Sequence, residues 1–152
     1  MYMELSNRPS PLSLEVLLAD YSRWLDFLTA SGSTLRGFDR QLADISKRYT
    51  DLSDLSNYLR ACMNHRSQFY GALAIQLAGK VAQLRAHPTD TEPANDNLLR
   101  RLTHAHPFMQ ELMTEIANAM VDISQSYQAL FLAPKNAKNG QLTSVKAELH
   151  QP

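Results

Sequence analysis

Between Leu98 and Leu130 the residues Leu98, Leu102, Ala105, Met109, Leu112, Ile116, Ala119, Ile123, Ser126 and Leu130 follow one another in unbroken steps of four and three. Only a helix of about 3.6 residues per turn brings such steps onto a single face, whereas a strand would scatter them over both sides. At a rise of about 1.5 Å per residue the segment is roughly 50 Å long. A helix of that length keeps its shape in water chiefly when other helices cover its apolar stripe. Asp96 or Asn97 is placed to cap its start. Pro107 lies inside the stripe and removes a backbone donor, so a kink or short interruption is expected between His104 and Pro107.

The same period recurs upstream. Leu14, Leu17, Leu18, Tyr21, Leu25 and Leu28 predict a helix over about residues 11–30, with Ser10 as its cap and Pro11 in its first turn. Trp24 and Phe27 widen its apolar face, and Ser31-Gly32-Ser33 is expected to end it. Leu35, Phe38, Leu42, Ile45, Tyr49 and Leu52 then repeat as the a and d positions of a coiled coil. The polar run Thr50–Asp54 breaks the register. A further helix follows through Leu55, Leu59, Cys62, Phe69, Leu73, Leu77, Val81 and Leu84 and stops near His87-Pro88. Pro88 to Asn97 is polar and reads as a surface connection.

The fold class expected is all-α, an elongated antiparallel bundle of three to four long helices with coiled-coil-like seams. Residues 1–10 are read as a flexible N-terminus, 11–132 as the bundle, and 133–152 as a mobile tail with a weak turn near Val145 to Leu149. The apolar faces exceed what so few helices bury, so a homo-oligomer is expected. Its seam would run through Leu98, Leu102, Met109, Leu112, Ile116, Ile123 and Leu130.

Composition narrows the function classes. Hydrophobic residues at 44% and charged residues at 20% describe an ordered globular chain, not a disordered one. Fifteen basic residues balance fifteen acidic ones with no long basic run, which argues against nucleic acid as a partner. The uncharged run Phe69 to Gly79 is too short for a transmembrane helix. The single Cys62 forms no intrachain disulfide and reads as a small buried hydrophobe, and a cytoplasmic setting is expected.

Little points to catalysis. His104 and His106, two residues apart, fall on different faces of a helix, so no metal site is expected from them. His65, His87 and His150 read as solvated. Asp51 with Asp54, and Glu111 with Glu115, have helical spacing and read as solvent-facing acids. Nucleophile-elbow, zincin, Walker and dinucleotide motifs are missing from the sequence. The chain is read as non-enzymatic, without cofactor. Gly71, Ala74, Ala78 and Ala82 line one face with small residues beside the bulky row Phe69 to Leu84, as in a central bundle helix or one whose second apolar face meets a partner.

From Trp24 to Leu84 the order of features resembles the phasin family, helical proteins that coat polyhydroxyalkanoate granules. The resemblance is carried by Asp51-Leu-Ser-Asp-Leu55 and the aromatic and small-residue helix His65-Arg-Ser-Gln-Phe-Tyr-Gly-Ala-Leu-Ala-Ile-Gln-Leu77. It implies a granule surface as partner, met through Trp24, Phe27 and Leu28 in the first helix and Phe69, Tyr70, Leu73 and Leu77 in the second. The alternative from the residues themselves is a helical adaptor, regulator or chaperone that binds a helical protein partner through its heptad seams.

Overall fold

The structure, a computed structural model, describes residues 10–88 and 96–136. The expected flexible N-terminus up to residue 9, the middle of the polar connection and the tail beyond residue 136 lie outside the described residues. Three helices pack together: α1 (Leu14–Arg48), α2 (Ser53–Arg85) and α3 (Asn97–Asn136), with a 3-10 turn at Thr50–Leu52 between the first two. At 35, 33 and 40 residues they are all long.

α1 starts later than its sequence signals. Ser13, not Ser10, is the cap: its hydroxyl accepts the Val16 amide at 3.2 Å. The helix then runs straight through Ser31-Gly32-Ser33, where an end was expected. A helical glycine costs about 1 kcal/mol against alanine, but Ser31 and Gly32 are buried between Leu28 and Leu35, both 1% exposed. Burying Leu28 and Leu35 is worth about 1.5–3 kcal/mol each, which outweighs the local preference. The two upstream apolar patterns therefore form one helix. It ends at Tyr49, whose backbone is extended, and Lys47 and Arg48 complement the C-terminal dipole.

The turn at Thr50–Leu52 sends α2 back along α1. Ser46 meets the Ser53 hydroxyl at 3.1 Å and donates to Asn57 at 3.4 Å, while Arg60 donates to Asp39 at 2.9 Å. α1 and α2 approach closely along their length; α3 touches α1 more than α2. Rings fill the α1–α3 contact, including Trp24 against His106 and Phe38 against Tyr127, and bulky side chains hold helix axes apart.

The buried face of α3 is rotated from the expected seam. Leu99, Leu102, Met113, Ile116, Ile123, Tyr127 and Leu130 are buried, while Leu98, Met109 and Leu112 pack only partly against the core. On α2 the buried aromatic is Tyr70 at 1% exposure, and its neighbour Phe69 remains 47% exposed. Gly71, Ala78 and Ala82 face solvent, so the small-residue row is not a central buried face. Cys62 is half-buried.

Pro107 does not interrupt α3, which is helical from Asn97 to Asn136. The missing donor is tolerated because the same turn is fastened to α1 from several sides.

Candidate functional site

Among the described residues that fastening is the densest polar cluster between distant parts of the chain. The Leu12 amide donates to Thr103 Oγ1 at 2.8 Å, and Tyr21 Oη donates weakly to the Leu102 carbonyl at 3.5 Å. His106 Nε2 lies 2.7 Å from Asp20 Oδ2, and Arg23 holds the other oxygen of that carboxylate at 3.0 Å. The Trp24 ring lies 5.0 Å from the His106 ring. Burial pushes the Tyr21 phenol above its ordinary range. An imidazole whose Nε2–H donates to a carboxylate and whose ring packs against indole is a fixed structural tie.

A second tie joins α2 to α3. His87 Nε2 meets Asp96 Oδ2 at 2.5 Å, and Asp96 Oδ1 accepts the Leu99 amide at 2.9 Å, so the carboxylate caps α3 while gripping the end of α2. Asp96 thus serves as the expected cap. The hydrogen bond to Asp96 raises the His87 pKa against a smaller opposing effect of burial, and the Pro88 carbonyl at 2.7 Å adds to the rise. The Leu99 amide, followed by His87, holds the Asp96 carboxyl below its usual range although burial works the other way. His87 is therefore not the solvated residue expected.

At the opposite end α1 and α3 meet through rings. Phe38 stacks on Tyr127 at 4.0 Å, Phe131 follows at 5.7 Å, and Tyr127 Oη donates to Gln41. Asp20–His106 and Gln41–Tyr127 are both separated by 86 residues. α1 and α3 thus run in the same direction and hold one register over three heptads.

The surface residues expected from the sequence divide sharply. Trp24, Leu28, Tyr70 and Leu77 belong to the buried core, Phe27 and Leu73 pack partly against it, and Phe69 alone is exposed. Of the seam residues, Leu102, Ile116, Ile123 and Leu130 are buried; Leu98, Met109 and Leu112 lie at the margin. The apolar residues that do reach water include Tyr58, Ile75, Phe108 and Val121, none of which lay on an expected stripe. Tyr58 and Phe69 share a flank of α2, at spacings of four and seven through half-buried Cys62.

His104 is exposed while His106 faces α1, and among the described residues no three His, Cys, Asp or Glu side chains come together as a metal set. Asp51, Asp54, Glu111 and Glu115 are all exposed. Among the described residues no helix is long and apolar enough to cross a membrane. Compared with known proteins, the chain matches no family model, no curated protein and no solved structure.

Proposed function

We propose that the chain is a non-catalytic helical protein that adsorbs to an apolar surface through the outward flanks of α2 and α3. The resemblance to phasins makes a polyhydroxyalkanoate granule in the cytoplasm the surface of choice. The observation that carries the reading is the exposure of Tyr58 (59%), Phe69 (47%), Ile75 (76%) and Phe108 (70%) on otherwise well-packed helices. Each large side chain taken fully out of water contributes about 1.5–3 kcal/mol. A few such residues suffice for reversible adsorption without opening the core. Trp24, Leu28, Tyr70 and Leu77 act in this reading by holding the helices together.

A second reading has its own support. Leu98, Ala105, Leu112 and Ala119 recur every seven residues along α3 and are only half-covered. Such a row suits another helix, either a protein partner of an adaptor or chaperone, or a second copy of this chain. The constant α1–α3 register, with α2 returning antiparallel, supports coiled-coil-like packing in both readings.

Co-sedimentation with polyhydroxybutyrate particles tests the first reading, with an unrelated helical bundle as control and circular dichroism as a check on folding. The native chain should adsorb more strongly than the control. Phe69→Leu should leave adsorption nearly unchanged, and the combined Tyr58→Ser, Phe69→Ser, Phe108→Ser variant should weaken it clearly. Adsorption equal to the control would sink the granule reading and leave the helical partner.

A further inference from the structure

A groove of about 410 Å³ lies on a different face, between α1 and α2. Its floor is apolar and closed, formed by Leu35 and Met63, each 1% exposed. Arg36 and Arg40, one turn apart on α1, line one wall, with Asn64 and Ser67 opposite them on α2. Asp39, the one carboxylate in the lining, is held by Arg60 at 2.9 Å. Among the described residues neither Arg36 nor Arg40 has a carboxylate partner, so the groove presents two guanidinium groups beside one acid that Arg60 already engages.

We infer that this groove binds a phosphate-type oxyanion, either free or as a lipid head group. Two guanidinium forks spaced by about 6 Å along a helix present more parallel N–H donors than the two oxygens of a carboxylate can accept. A phosphate offers three or four acceptor oxygens, enough to engage both forks and still receive donors from Asn64 and Ser67 across the groove. The site is independent of the apolar flank, because its polar walls belong to α1 and the α1-facing side of α2. Attraction of this kind weakens with salt.

Calorimetric titration of the full chain with inorganic pyrophosphate, alongside flotation with phosphatidylglycerol–phosphatidylcholine vesicles and pure phosphatidylcholine vesicles, separates the two sources. Both arginines are exposed, and glutamine keeps helix propensity, so Arg36→Gln with Arg40→Gln should fold normally. The double variant should lose affinity by about ten-fold or more. Arg100→Gln with Arg101→Gln, on α3, should not. Pyrophosphate binding lost in the double variant establishes a free oxyanion as ligand; loss of phosphatidylglycerol-dependent flotation alone establishes a head group. Binding of neither probe, or binding equal in the native chain and the double variant, overturns the inference.

Discussion

His87 and Asp96 each do two jobs, and this gives the pair a definite pH response. Asp96 caps α3 through the Leu99 amide while it holds the His87 ring at the end of α2. Because the folded His87 pKa is raised above the ordinary 6.5, its contribution is complete below that value and is lost as pH rises through the raised one. Because Asp96 is lowered from 3.8, its contribution is complete above that value and is lost as pH falls through the depressed one. The pair therefore stabilises most between about pH 4 and 6.5. Thermal melts of the native chain and His87→Gln should differ most near about pH 6 and converge near about pH 9. An equal gap at both would show that the pair does not titrate. Neither this pair nor Asp20–His106 is legible in the sequence, because nothing local marks partners 9 and 86 residues apart as neighbours. Phe69 and Tyr70 show the same limit at closer range, since adjacent aromatics both fit a broad stripe and only the position of α1 and α3 decides which is buried.

The helices contain more glycine than their own stability favours. A Cβ built at Gly37 or Gly79 meets nothing within 4 Å, so neither position needs glycine for space. Gly37→Ala and Gly79→Ala should each raise stability by about 0.5–1 kcal/mol, read from urea unfolding midpoints. No gain at either site would mean that the helix there is strained in a way its contacts do not reveal. The sequence pattern was most informative at this scale: periodicity located the helical segments, and the polar run at Thr50–Asp54 located the turn. It misjudged α1 at Ser31–Ser33 because a small residue facing a neighbouring helix carries the same local signal as a stop. The α3 seam expected from the sequence lies one residue out of phase with the buried face at alternate positions. Leu102, Ile116, Ile123 and Leu130 belong to both registers, while Leu98 and Leu99, or Leu112 and Met113, are equally apolar and are sorted only by where α1 lies.

Across the whole molecule the ties that the first helix and its leading residues make fall into two groups with different reach along the chain. Those between α1 and α2 link residues 7, 11 and 21 apart, whereas those between α1 and α3 link residues 81 to 91 apart. Closing a short loop costs less entropy than closing a long one, and α1 and α2 share the most extensive contact, so the α1–α2 hairpin is expected to form early and α3 to dock onto it. Met63 and Met113 report on the two stages, being buried on α2 and α3 respectively. Replacing either with alanine should cost about 2–5 kcal/mol. In stopped-flow chevrons Met63→Ala should mainly slow refolding and Met113→Ala should mainly speed unfolding. Equal slowing of refolding by both would mean that the three helices assemble together. With the expected outcome, the nascent hairpin would begin to pair while the last helix was still emerging from the ribosome.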